Sequence, residues 1–357
     1  MTRQMGIVTM LAAMATMAAG GSAARAWQTA VTIEADRFFL NGQPTYLGLS
    51  PKALGKLMNV RMVNATFDDE NPATRPEGFD PEANTTRFID SMYQYRAKGI
   101  LAFTLNLQGG YPGYEGAINS AFARDGSLKP VYLRRVARVI EAADAKGLVV
   151  ILGLFYQRQD QILADENAVR AATRNTATWI AQQGYTNVLI EIANEYRHEG
   201  FDHAILREEA GEAQLMALVR SVHPRLLVST SGVGDARLHP ALCEAADFIL
   251  LHGNGTQSED YPQRIQAVAK YGKPIVFNED WCFSDDSRGV ADAPAKATAA
   301  FENGASWGIM NQMRNQQWPF VFGIGKPDEG PNGAEDFAAY ETIGKLVGMP
   351  AGINGLR

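Results

Sequence analysis

The most constraining feature of this chain is an alternation that runs through most of its length. Short, largely apolar runs are each followed by a stretch with helical periodicity. The runs fall at residues 45–50, 100–106, 148–155, 188–193, 226–231, 248–251, 274–277 and 306–310. Helical patterns follow them at 84–98, from Pro130 to a stop at Gly147, and at about 165–183. The later ones extend to about 222, then lie near 239–246, through Ile265 and Val268, at 294–302 and at 335–347. A run that is apolar at every position has both faces buried, which requires a parallel sheet covered by helices. Eight such units predict a closed (β/α)8 barrel. The competing open, doubly wound sheet is disfavoured because no Gly-x-Gly-x-x-Gly sits at a strand-to-helix turn.

Ahead of the first run, apolar stretches at 31–35 and 37–40 and at 44–47 flank Asn41-Gly42, a strong hairpin signal, and predict a small β-hairpin cap. Further upstream, Arg3 precedes an uncharged apolar segment at 5–20, then small residues and Ala24-Arg25-Ala26. This reads as a secretory signal at 1–26, cut before Trp27, leaving one catalytic unit at 27–357 in a secreted or periplasmic protein. The apolar segment is short for a membrane span, and no later stretch is long enough for one. A net charge of -6 provides no basic footprint for nucleic acid. Cys243 and Cys282, the two cysteines, read as separate buried thiols, with pairing open in an oxidising compartment. The five histidines are scattered and no Cys-x-x-Cys occurs, so no metal and no cofactor is expected.

Two apolar runs end abruptly in acid. Ile190-Glu191-Ile192-Ala193-Asn194-Glu195 closes the fourth strand, and Pro274-Ile275-Val276-Phe277-Asn278-Glu279 the seventh. In a closed barrel these C-terminal ends face one another across the mouth, where barrel enzymes build their sites. Two facing carboxyl groups are what glycosidic cleavage needs: one to protonate the leaving oxygen, one to attack or to activate water. Asp280 is an alternative to Glu279, but neighbours on a strand point to opposite sides. Glu191 shares the parity of Glu195 and is expected to pair with an arginine inside the barrel.

With these motifs in this strand order, the chain resembles clan A of the retaining glycoside hydrolases, nearest the cellulase-type family 5. The resemblance covers essentially all of 27–357. It implies that Glu195 is the acid/base, that Glu279 is the nucleophile and that Asn194 holds a sugar 2-hydroxyl, with a carbohydrate as the partner. The sequence departs from the family where an arginine usually stands late in the second strand: here it reads Thr104-Leu105-Asn106-Leu107-Gln108. It also has His252-Gly253-Asn254 in place of His-x-Tyr, and Tyr196 rather than Pro after Asn-Glu. Trp307 comes early in the eighth strand, which ends near Asn311-Gln312. Asn106, Gln108, Tyr156, Gln157, His252 and Asn254 are candidate hydroxyl contacts, because they follow strands at the mouth. Trp281 and Trp318 are candidate platforms for sugar rings. A non-catalytic carbohydrate-binding barrel and a transglycosylase with the same carboxylates are the alternatives.

Overall fold

The computed structural model describes residues 27–284, 292–330 and 332–350. The signal segment read at 1–26 lies outside them. Three short antiparallel strands come first: β1 (Val31–Glu34), β2 (Arg37–Leu40) and β3 (Gln43–Pro44). They close the N-terminal end of the barrel. Val31 donates its N–H to Thr186 O at 2.9 Å, Phe38 donates to Gly55 O at 2.9 Å, and the Phe38 ring meets Phe248 edge-on at 6.0 Å. All three partners lie just before barrel strands.

The barrel strands are β4 (Asn59–Arg61), β5 (Ala102–Asn106), β6 (Val149–Phe155), β7 (Val188–Ala193), β8 (Val228–Ser229), β9 (Ile249–His252), β10 (Ile275–Glu279) and β11 (Gly308–Ile309). Every pairing among them is parallel. The order β11-β4-β5-β6-β7-β8 is continuous, β9 pairs with β10, and bridges Ser231–Leu250 and Val276–Ser306 join the two groups into a ring. Around it run α1 (Pro81–Ala97), α2 (Pro130–Asp144), α3 (Glu166–Gln183), α4 (Glu209–Val222), α5 (Pro240–Ala245), α6 (Tyr261–Ala269), α7 (Ala293–Glu302) and α8 (Gly333–Val347). The local signals are those of ordinary helices. Asp80 and Asp165 cap α1 and α3 by accepting backbone N–H groups, and Gly184 ends α3 in the left-handed region at φ 70°. No helix among the described residues is long and apolar enough to cross a membrane. Cys243 and Cys282 are both buried.

The expected eight units are present, with one displacement. Residues 45–50 are not the first barrel strand. Tyr46 and Gly48 there have φ of 58° and 82°, which breaks an extended run, and the Tyr46 hydroxyl donates to Gly99 O at 2.6 Å beneath the barrel. The first barrel strand is β4, inside the segment 51–83 that reads as a long connection. Only three residues long, it alternates Asn59 and Arg61 with Val60, so it shows no apolar run. The other long connection, 108–129, leaves β5 as an excursion of its own, held by antiparallel bridges Gln108–Ser120 and Phe122–Leu128.

Candidate active site

The two strand-ending carboxylates meet at the C-terminal mouth, and each is aimed by a backbone irregularity. At the end of β7, Glu195 adopts φ 58°, a left-handed conformation uncommon for a residue with a side chain, and its N–H donates to Ser231 Oγ at 3.0 Å. In β10 the register shifts between Phe277 and Glu279, a bulge that turns the strand. Without it Phe277 and Glu279 would share a face. Instead Phe277 stacks on Tyr261 of α6 (centroids 4.7 Å apart, planes 8°), while Glu279 faces inward. Asp280 then points away from the mouth into the helix layer. Lys296 Nζ lies 2.9 Å from its Oδ1, Trp307 Nε1 donates to Oδ2 at 2.7 Å, and Tyr261 donates to the same oxygen.

One carboxylate oxygen each from Glu195 and Glu279, with a ring nitrogen of His252, lie within 4.8 Å of one another. Arg61, 1% exposed at its side chain, comes up from β4. Its Nε is 2.6 Å from Glu279 Oε2, its Nη1 is 3.7 Å from Glu191 Oε2, and its Nη2 donates to Asn194 Oδ1. Asn254 Nδ2 donates to Glu279 Oε1 at 2.5 Å, and Asn254 Oδ1 accepts from the Trp281 backbone N–H at 2.8 Å. Burial alone would push the Glu279 carboxyl up. Arg61, then His252 and Asn254, outweigh burial and hold it below the usual glutamate range. His252 is fully buried, with Nδ1 3.2 Å from Glu195 Oε1 and 3.7 Å from Glu279 Oε1, and Nε2 3.6 Å from Glu191 Oε1. Burial disfavours its charged form, but Glu279, Glu191 and Glu195 together push it up to about 10. A protonated ring at this position would place positive charge between the carboxylates.

A hydrogen-bonded chain continues from Arg61 to the cleft wall. Asn194 Nδ2 donates to Gln157 Oε1 at 3.1 Å, and Gln157 Nε2 donates to the Tyr114 hydroxyl at 2.7 Å. Tyr114 stands within electrostatic reach of both Glu195 and Glu279, as does Tyr156, whose hydroxyl is pushed well up, first by burial. Gly109 makes room for Tyr156: a Cβ there would lie 2.1 Å from the ring. The structure thus brings Asn194, Tyr156, Gln157, His252 and Asn254 to the carboxylate pair. Gln108 is placed differently. It is fully buried and spends its amide on Ser120 Oγ and Gln159 O, both at 3.1 Å, pinning the 108–129 excursion. Asn106 lies lower in the barrel, where a Cβ on Gly153 would come within 2.3 Å of its Oδ1 and 3.4 Å of Glu191 Oε2. Trp281 is half-buried and bridges to Met310. Trp318 is 42% exposed beyond the eighth strand, edge-on to Phe79 at 5.0 Å. Arg61 is missing from the sequence reading, and Tyr114 is absent from its candidate contacts although the turn-rich segment 109–114 reads as a cleft wall. A single charge between Met58, Val60, Met62 and Val63 was the available signal for Arg61.

A closed (β/α)8 barrel with two carboxylates converging at the C-terminal mouth defines the class: a glycoside hydrolase. Residues 79–306 match the family model for cellulase (glycosyl hydrolase family 5), and the chain belongs to that family. No curated protein matches it in sequence. Among solved structures, a Bacteroides vulgatus protein superimposes with a TM-score of 0.58 at 12% identity, over 87% of this chain. The chain spans 60% of that longer protein. The endo-1,4-β-mannanase of Rhizomucor miehei gives 0.56 at 13% identity, over 89% of this chain and 99% of its own. That of Thermotoga petrophila gives 0.55 at 14%, over 82% and 99%. At such identities these likenesses speak for the fold.

Proposed function

We propose that the protein is a retaining glycosidase that cleaves O-glycosidic bonds of an extracellular poly- or oligosaccharide by double displacement. Glu195 is the acid/base and Glu279 the nucleophile. The observation that carries this reading is that one carboxylate oxygen of Glu195 and one of Glu279 lie within 4.8 Å of each other, a nearest-atom distance that lets both address one anomeric centre and favours the close, retaining spacing. Retention needs carboxyl groups about 5–5.5 Å apart, whereas inversion needs about 6.5–9.5 Å to admit a water. The roles follow from the surroundings. Glu279 carries the guanidinium and amide contacts that keep it ionised, as a nucleophile must be. Glu195 has neither, and with its side chain 12% exposed it is the more accessible of the two.

In the first step Glu195 gives its proton to the glycosidic oxygen as Glu279 forms a bond to the anomeric carbon and the leaving sugar departs. In the second, Glu195 takes a proton from water, whose oxygen attacks the same carbon and releases Glu279. Asn194 is placed to hold the 2-hydroxyl, with Tyr114, Tyr156 and Gln157 lining the approach and Trp281 and Trp318 as more distant platforms. Similar solved structures that are 1,4-β-mannanases, together with a broad-specificity endoglucanase from a Clostridium, make 1,4-β-mannans and glucans the first substrates to try. The mature chain is expected to begin at Trp27, which N-terminal sequencing of exported protein would check.

The test is azide rescue. Glu195→Ala should lose turnover of glycans while sparing the first step on activated aryl glycosides, and azide should restore turnover with a glycosyl azide of retained configuration. Glu279→Ala should lose retaining turnover, and azide should yield the opposite anomer. The reverse pattern exchanges the roles, and full activity in both variants overturns the reading. A barrel that binds glycans without turnover would fail at the first assay, and a transglycosylase would show transfer products.

A further inference from the structure

Glu191 takes no part in the double displacement, yet it occupies the most costly position near it. Its side chain is fully buried on the inner face of β7, and neither carboxylate oxygen has a hydrogen-bond partner. The atoms facing them are similarly placed: His252 Nε2 at 3.6 Å and Arg61 Nη1 at 3.7 Å also make no hydrogen bond. A buried carboxylate held by charge and by long contacts to His252 and Ser231 is a poor device for stability, since an apolar side chain of similar volume would serve as well or better. It does impose a protonation state on its neighbours.

We propose that Glu191 is a positioning residue: it holds His252 as an imidazolium with Nδ1–H turned to Glu195, so that the Glu195–His252 pair retains the proton needed at the leaving oxygen. This deepens the assignment of Glu195 as acid/base and rests on it. The proton moves from His252 Nδ1 to Glu195 Oε1, leaving neutral imidazole and a carboxylic acid. The acid then delivers it to the glycosidic oxygen as the C–O bond breaks. In the second step Glu195 takes a proton from the attacking water and returns it to His252.

The groups facing this ring are Glu191 and Glu195 from β7 and Glu279 from β10; Arg61 from β4 and Tyr156 following β6 act on those carboxylates, and Glu212 of α4 lies behind Glu191. Among the described residues, Glu191 is the one carboxylate in contact on the Nε2 side of the ring. Glu195 and Glu279 both change charge during the reaction. Glu191, held below the usual range by His252 and Arg61 in spite of burial, does not.

The experiment follows the ring nitrogens of His252 by NMR through a pH titration, in the wild type, in Glu191→Gln and in Glu195→Gln. It is paired with the pH profile of kcat/KM on glucomannan. The wild-type ring should stay doubly protonated through neutral pH. In Glu191→Gln its titration should move down by at least about one pH unit, and the alkaline limb of kcat/KM should move down with it. A merely structural Glu191 would lower the melting temperature and leave both unmoved. A ring that is neutral at neutral pH in the wild type overturns the inference, as does an unshifted titration in folded Glu191→Gln. Should Glu191→Gln not fold, the wild-type titration and Glu191→Asp, which keeps the charge and should keep the imidazolium, decide the matter. If Glu195→Gln stays fully active on glucomannan, the acid/base reading itself has failed.

Discussion

Replacing Arg61 by Met tests the electrostatic basis of the site. The guanidinium is 1% exposed, its Nε lies 2.6 Å from a Glu279 that is itself 7% exposed, and it also faces Glu191 at 3.7 Å. Met keeps much of the volume but leaves both carboxylates with His252 as their remaining cation. Removing one partner of a buried pair costs about 3–5 kcal/mol, chiefly because the other charge stays buried. The pH dependence carries a definite sign. In the wild type the Glu279 pKa is depressed, so its contribution to stability is present above the ordinary glutamate range and is lost as pH falls through the lower, folded value. In Arg61→Met, burial acts with less opposition and the folded pKa rises. The contribution then reverses and declines as pH rises past the ordinary range. The gap in melting temperature between the two proteins should therefore widen from about pH 4 to about pH 8. The acid limb of kcat/KM should move upward, because more of the nucleophile is protonated. Thermal denaturation across pH and a pH-rate profile measure both. A gap that stays constant with pH, or an acid limb in its original place, would show that Arg61 does not hold Glu279 ionised.

Three further outcomes are expected. Glu212, buried on α4, is pushed up to about 8 by burial. Its raised pKa penalises folding increasingly as pH climbs through the interval between the unfolded value and about 8, so Glu212→Gln should gain melting temperature over the wild type most above pH 8 and least near pH 4. Asp280→Asn should break the buried contact with Lys296 and lower stability by about 3–5 kcal/mol, while the folded fraction keeps kcat within about threefold, because Asp280 points away from the mouth. Chemical denaturation with active-site titration separates the two. Gly109→Ala, at φ 88° with a virtual Cβ 2.1 Å from Tyr156, should displace that ring and raise KM more than it lowers kcat, as initial rates on glucomannan would show.

Much of this protein is legible in its sequence, for an identifiable reason. Strands buried on both faces must be apolar at every position, and the helices that cover them must be amphipathic, so local composition reports the architecture. The seven units from residue 100 onward follow the order that pattern gives, although the long helix expected after the fourth run is confined to Glu209–Val222, beyond a connection at 194–208. The two carboxylates were legible because each interrupts an apolar run at its end, and Asn194, His252 and Asn254 were found by the same rule. The rule fails where a strand is short and its inward residues are polar. β4 presents Asn59-Val60-Arg61, which reads as part of a connection, so Arg61 was missed although it contacts Glu279, Glu191 and Asn194 together. Tyr114 was hidden for another reason: it belongs to an excursion whose path is set by distant contacts such as Gln108 with Gln159.

What the sequence determined by itself, then, is the periodic part: the barrel, the order of its strands and the acids at two strand ends. Only the tertiary structure decided which way those acids point. The left-handed turn at Glu195 and the bulge before Glu279 swing the two side chains toward each other, and the same bulge sends Asp280 outward. It also decided their charges. A carboxylate's protonation depends on what lies within a few ångströms, and here Arg61, His252 and Asn254 arrive from strands or strand ends far apart in the chain.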